Sequence, residues 1–264
     1  MTTSDREFAV KTALVTGAGK RIGKAIALDL ADNGWNVAVH YNSSAGEAEE
    51  VANLVREKGV SSMTVGADLS DEANVLPVIP EVTASLGPLT LLVNSASLFE
   101  HDSIETSTRQ GWDAHMETNL RAPIALSKAF AAQAPDKATN GAASCVINLL
   151  DQRVWNLTPF FMSYTISKYA LWGATQTLAL SLAPNIRVNG IGPGPTIKSS
   201  RQTDEHFRSQ YESIPLERST DPSEICTAVR FILDSPSMTG QMVAMDGGEH
   251  LAWAQPAKGA HLVE

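Results

Sequence analysis

Short, almost uninterrupted apolar runs alternate with longer amphipathic stretches along most of the chain. The runs that predict strands are Thr12 to Thr16, Asn36 to Tyr41, Met63 to Ala67, Leu89 to Asn94, Ser144 to Leu150, Ile186 to Ile191 and Gln241 to Met245. Stretches such as "LLVN" and "CVINLL" lack polar alternation, as strands do when helices cover both faces of a parallel sheet. Between them, "GKAIALDLADNG" predicts a helix closed by Gly34, and "AGEAEEVANLVREKG" an amphipathic one closed by Gly59. Pro77 and Pro80 predict an irregular start for the helix over "DEANVLPVIPEVTASLG". "GWDAHMETNLRAPIALSKAFAAQA" reads as one long helix. "YTISKYALWGATQTLALSLA" is apolar nearly all round, which predicts burial or a subunit contact. "DPSEICTAVRFILD" starts with Asp221 as N-cap and Pro222 at the first helical position.

This alternation predicts an α/β fold: a doubly wound, mostly parallel seven-stranded sheet of Rossmann type with right-handed crossovers. No repeat or internal boundary appears, so residues 1–264 read as a single domain. Residues 1–8 are expected to be flexible. Residues 192–220, rich in Gly, Pro, Ser and charge, are expected to form an irregular substrate loop. The tail after Trp253 carries no clear signal.

With 43% hydrophobic and 19% charged residues, the chain has the material for a full core and is not of the disordered class. A net charge of −9 argues against nucleic acid as a partner. Cys145 and Cys226 are far apart with no metal-ligand spacing, so no metal is expected, only buried free thiols in a reducing compartment. "MTTSDREFAV" has no leader-like apolar stretch, and no run reaches the roughly 18 apolar residues of a membrane helix. The expectation is a soluble cytoplasmic protein with no membrane partner.

"TGAGKRIG" follows the first strand and opens a helix. Gly17 permits a tight turn, while Gly19 and Gly23 leave room for a pyrophosphate and for close helix packing. The backbone N–H groups there, Ile22 included, and the helix dipole attract an anion. The spacing is one residue longer than the dinucleotide fingerprint, and no Gly-Lys-Ser/Thr ending marks a nucleoside-triphosphate loop. An Asp or Glu ending the second strand would favour NAD. Here His40, Tyr41, Asn42, Ser43 and Ser44 stand instead, with Lys20 and Arg21 nearby, so NADPH is the expected cofactor. "ADLS" places Asp68 and Leu69 near the adenine end, unless Asp68 only caps the next helix.

"SYTISKYAL" holds Tyr164 and Lys168 four residues apart, on one helix face. A phenol titrates near 10, and a neighbouring ammonium is expected to lower that value. Tyr164 would then donate a proton as hydride arrives, with Lys168 also available to hold ribose.

Together, "TGAGKRIG", "ADLS", "LLVNSAS", "HMETNL", "SYTISK" and "IRVNGIGPGPT" resemble the short-chain dehydrogenase/reductase superfamily over nearly the whole length. The resemblance implies a nicotinamide cofactor, Tyr164 and Lys168 as catalytic pair, and Asn119 holding a proton-relay water. It places Asn94, Ser95 and Ala96 beside the cofactor, and Pro193, Gly194 and Thr196 along the nicotinamide. It also implies a homotetramer.

Two departures narrow the resemblance. Arg21 replaces the middle glycine of the loop, and Asp151 stands 13 residues before Tyr164, where serine is usual. With "NSASLF", these features look like the pteridine reductase subgroup. That implies Arg21 contacting cofactor phosphate and substrate, and Ser97 and Phe99 at the substrate, with Phe99 stacking on a pterin. Asp151 would accept from the ring's N–H groups or orient Tyr164. A basic residue of the subgroup's phosphate-binding stretch is Ser43 here. The implied activity is NADPH-dependent reduction of a pterin or folate C=N bond. The alternatives are a ketone or 3-oxoacyl reductase, which Asp151 disfavours, and a non-catalytic cofactor-binding protein, which the Tyr–Lys pair disfavours. Arg201 and Lys198 are candidates to meet an acidic substrate tail. Trp155, His101, His206 and Trp253 could line a pocket, but each reads first as ordinary loop or core packing.

Overall fold

A computed structural model describes residues 11–136, 143–199 and 201–251. The expectations for residues 1–8 and for Trp253 lie outside that range. Seven strands form one sheet: β1 (Thr12–Val15), β2 (Asn36–Tyr41), β3 (Ser62–Gly66), β4 (Leu91–Asn94), β5 (Ser144–Leu149), β6 (Ile186–Pro193) and β7 (Met242–Met245). All pairings are parallel, in the order β3-β2-β1-β4-β5-β6-β7. The apolar runs thus mark the strands, with boundaries shifted by a residue or two.

Successive residues of β1 explain the lack of polar alternation. Ala13 and Val15 pack with α1 (Arg21–Asp32) and α2 (Ala45–Glu57), while Leu14 faces the opposite layer. That second layer includes α4 (Val78–Leu86), which follows the short α3 (Glu72–Val75), and α6 (Ala122–Gln133), whose Phe130 is fully buried. Each strand residue therefore meets an apolar neighbour on whichever side it points.

Two expectations need correction, and a third is refined. The stretch read as one long helix is broken: α5 (Arg109–Met116) passes into a π-helical turn, Glu117–Arg121, before α6. Pro123 has no N–H to offer the Asn119 carbonyl, so an ordinary α-helical ladder cannot run through this point. The helix α7 (Met162–Leu182) buries Tyr164, Ser167, Lys168, Leu171, Thr175 and Ala179 but leaves Ile166, Tyr169 and Leu180 exposed within the single chain. Finally, residues 192–220 are not wholly irregular, because they contain α8 (Asp204–Glu212). The Thr203 side chain accepts from the His206 N–H, and Asp204 and Glu205 occupy the first turn. This helix buries none of its residues, and Phe207 and Tyr211 alone give too weak an apolar pattern to mark it.

The last helix, α9 (Pro222–Leu233), starts at a reciprocal capping box between Asp221 and Glu224. Among the described residues no helix is long and apolar enough to cross a membrane, and no cluster of three or more His, Cys, Asp or Glu suits a metal ion. Cys145 and Cys226 are free and buried. Replacing Asp221 with alanine removes one side of the capping box and should lower stability by about 1 kcal/mol in urea unfolding. An unchanged midpoint would show that Glu224 and Pro222 suffice to start α9.

Candidate active site

The chain leaves β1 for one face of the sheet and β4 for the other, so a crevice opens where their carboxyl ends lie side by side. A cavity of about 790 Å³ follows that edge. At one end lies the glycine loop. Gly17 has φ +64°, and a Cβ on it would come within 3.0 Å of the Ala96 backbone. A Cβ on Gly23 would sit 2.4 Å from the Gly17 carbonyl, so α1 can approach the loop only with glycine there.

His40 holds this loop from below. Its Nδ1 accepts from the Gly17 N–H at 3.1 Å, and Nε2 lies 3.1 Å from the Ala67 carbonyl. A carbonyl can only accept, so Nε2 carries the proton and the ring is neutral. Burial lowers its pKa to about 4. His40 borders the cavity, but both ring nitrogens serve the backbone. This corrects its expected role as an anion donor.

The other expected phosphate residues, Tyr41, Asn42, Ser43 and Ser44, line the same end, with Asp68, Leu69, Ile22, Ser95 and Ala96. Asp68 does not cap the next helix. Its carboxylate accepts from the Ser70 N–H and hydroxyl, while Asp71 caps α3. Lys20 pairs with Glu47 at 2.7 Å. Arg21 has φ +54°, the left-handed region where a glycine would be unstrained. Its guanidinium reaches across the cavity to the carbonyls of Ile197 (2.6 Å) and Lys198 (2.8 Å).

The opposite wall comes from β5 and α7. Asp151 ends β5's run and starts a short 3₁₀ turn, Gln152–Val154, with Oδ1 accepting from the Arg153 N–H at 2.8 Å. The Tyr164 hydroxyl donates to Asp151 Oδ2 at 2.7 Å. Burial and the Asp151 carboxylate together push the phenol well above its ordinary value. The expected lowering by Lys168 is overturned: Lys168 Nζ donates to the Leu149 carbonyl at 2.7 Å and lies 5.8 Å from the Tyr164 ring centre. Lys168 is itself lowered to about 8 by burial.

Phe99 stacks on Phe161 with ring centres 4.3 Å apart and meets Tyr164 edge-on at 4.6 Å. Phe161 was not singled out from the sequence. It precedes α7 with φ +54°, a conformation that leaves no sequence signature in an aromatic residue. The segment bearing Phe99 is held from behind. Asn119 accepts from the Leu98 N–H at 2.8 Å and donates to the Leu98 carbonyl and to Ser167. His115, one turn earlier, accepts from the Glu100 N–H at 3.2 Å.

Two expected site residues stand behind the cavity wall rather than on it. The Asn119 side chain is fully buried and committed to these protein partners. Asn94 is likewise buried and donates to Asn148, which in turn donates to Thr175. Pro193, Gly194, Thr196, Ser97 and Phe99 do line the cavity. So do His101 and His206, which take the pocket-lining alternative, whereas Trp155 is half-exposed and packs edge-on against His250. Beside Asp151, the buried Gln152 Oε1 has no hydrogen-bond partner among the described residues.

A glycine cradle at the β1/β4 crevice, with a Tyr–Lys pair on the helix after β5, defines a class, and the comparisons agree with it. The model of the family described as enoyl-(acyl carrier protein) reductase matches residues 17–250. The chain belongs to this family within the short-chain dehydrogenase/reductase superfamily, and is an NADP-dependent oxidoreductase. Among individual relatives, FolM alternative dihydrofolate reductase 1 from Brucella canis, solved with NADP, superposes with TM-score 0.90 at 43% identity, covering 96% of this chain and 99% of its own. Its counterpart from Brucella suis, also with NADP, gives 0.89 at 44%, covering 95% and 99%. The 3-oxoacyl-(acyl-carrier-protein) reductase FabG of Staphylococcus aureus is 31% identical over 246 residues, covering 91% of this chain and 98% of that protein.

The neutral His40 yields a pH prediction. Its folded pKa, about 4, lies below the ordinary 6.5, so between those values the unfolded chain binds more protons. The stabilisation is complete above pH 6.5 and fades as pH falls towards 4. Between pH 7.5 and 5, wild type should lose about 2 kcal/mol more than His40→Asn in urea unfolding. Equal losses would mean that His40 is not the group titrating.

Proposed function

We propose that the protein uses NADPH to reduce a C=N bond in a pterin or folate-type ring. The observation that carries this reading is the 2.7 Å bond from Tyr164 to Asp151, a carboxylate where the superfamily usually keeps a hydroxyl. A ketone offers only acceptor lone pairs at its reacting oxygen and gains nothing from a carboxylate there. A pterin ring presents amino and ring N–H groups, and a carboxylate can accept them while its other lone pairs hold the phenol and the Arg153 N–H. The unmet Gln152 acceptor and the Phe99 ring suit the same flat, N–H-bearing ligand.

The residues present fit the cofactor. The Gly17–Gly23 cradle has room for a pyrophosphate, Lys20 and Arg21 bring positive charge, and no carboxylate stands among His40 to Ser44 to repel a 2′-phosphate. NADPH supplies the hydride when bound. Tyr164 keeps its proton because burial and Asp151 disfavour phenolate, so it reaches the reaction as a donor. It passes that proton to the ring nitrogen as the adjacent carbon takes the hydride, which completes addition across C=N. Arg153 and Lys168 supply positive charge near the phenolate left behind. Asn119 and His115 act as positioning residues by fixing the segment that carries Phe99. The exposed Ile166, Tyr169 and Leu180 of α7 support a subunit contact within a homotetramer.

The likeness to FabG favours a second reading, reduction of a 3-oxoacyl thioester. NADPH oxidation with dihydrobiopterin, dihydrofolate and an acetoacetyl thioester separates the two, and turnover of the thioester alone rejects the pterin reading. Tyr164→Phe should lower kcat for the pterin by about 10²–10⁴-fold, the usual size of a positioned proton transfer. Asp151→Ser should cut pterin kcat/KM at least about tenfold, the cost of one charge-assisted hydrogen bond.

A further inference from the structure

We infer that Arg201 is a carboxylate-docking residue at the outer end of the cavity, selecting substrates that carry an anionic arm beyond the flat ring. The inference rests on the pterin or folate reading above and adds which members of that class are preferred. Arg201 lines the cavity on the segment leading into α8. Its guanidinium lies 5.5 Å from the centre of the Phe99 ring, so it adjoins the surface on which the heterocycle would stack. Of the cavity-lining residues between 199 and 214, it is the one Lys or Arg. Its neighbours there, Gln202 and Gln210, are polar but uncharged.

Its present partners are replaceable. Arg201 donates to the Glu100 carboxylate at 2.7 Å and to the Phe99 carbonyl. Both members of the ion pair are open to solvent, with side chains 43% and 60% exposed. Exposed pairs of this kind contribute little, so exchange costs little. A guanidinium has five N–H donors, of which two are engaged among the described residues. An incoming carboxylate can therefore displace Glu100 or share the guanidinium, and a planar fork suits it in two-point contact. The other cations lining the cavity stand at other points of it with partners of their own: Lys20 pairs with Glu47, Arg21 donates to the Ile197 and Lys198 carbonyls, Lys168 donates to the Leu149 carbonyl, and Arg153 donates to Thr158 and lies over the Phe161 ring. Lys198, the other candidate from the sequence, pairs with Asp204 at 2.5 Å and does not line the cavity.

The test compares dihydrofolate, which carries a glutamyl arm, with dihydrobiopterin, which carries no carboxylate. Steady-state kcat/KM is measured with NADPH on the full chain. Dissociation constants for folate and biopterin are measured alongside in the presence of NADP. Wild type should prefer the arm-bearing ligand, and added salt should erode that preference. Arg201→Gln should lower the dihydrofolate-to-dihydrobiopterin ratio about tenfold, mainly through KM, and Arg201→Lys should retain part of it. Glu100→Gln should move the ratio the opposite way by removing the competing carboxylate. If Arg201→Gln affects both substrates equally, or Glu100→Gln leaves the ratio unmoved, the assignment is overturned while the pterin reading stands. If neither pterin binds nor turns over, both fall together.

Discussion

Seven strands running in one direction must discharge their carboxyl ends at a single edge, and the chain must cross back over a face of the sheet after each one. That constraint generates the site. Helices after β1 and β2 fall on one face and those after β3 and β4 on the other. Between β1 and β4 the edge opens into the cavity, and the glycine loop, the 95–99 segment, Asp151 and α7 are brought to one crevice. The apolar layers are there to hold the sheet. The polar edge is a by-product of its topology, and function collects there.

Much of this was legible in the linear chain. A strand buried on both sides has no choice but to be apolar throughout, so the runs at β1, β4 and β5 announce themselves. The pairing of Tyr164 with Lys168 follows from helical geometry, and Asp151 from its distance to Tyr164. What stayed hidden depends on conformation or on contact. Phe161 forms the second layer of the aromatic wall because its backbone is left-handed, which no residue pattern encodes. The helix α8 has only Phe207 and Tyr211 as large apolar residues and buries none of its residues, too little for an apolar stripe to stand out. His115 and Asn119 read as a motif, yet their work is to hold Leu98 and Glu100 by the backbone, visible only once the segments meet.

Electrostatics at Tyr164 shows how far residue types alone can mislead. Counting neighbours, a lysine four residues away should make the phenol acidic. In the folded protein that lysine is turned to a strand-end carbonyl, and the closest charge to the hydroxyl is a carboxylate. The result is a reluctant acid, held neutral and aimed. Such a group is better suited to give up a proton late, when negative charge appears on its acceptor, than to rest as phenolate.

Arg21 carries one more consequence. A left-handed backbone under a long side chain is a local debt of about 1–2 kcal/mol, carried whether or not the guanidinium meets a ligand. Glycine would discharge it fully and Asn or Asp in part, but each loses the reach across the cleft. The strain at this position is therefore tied to the side chain's reach: removing one removes the other.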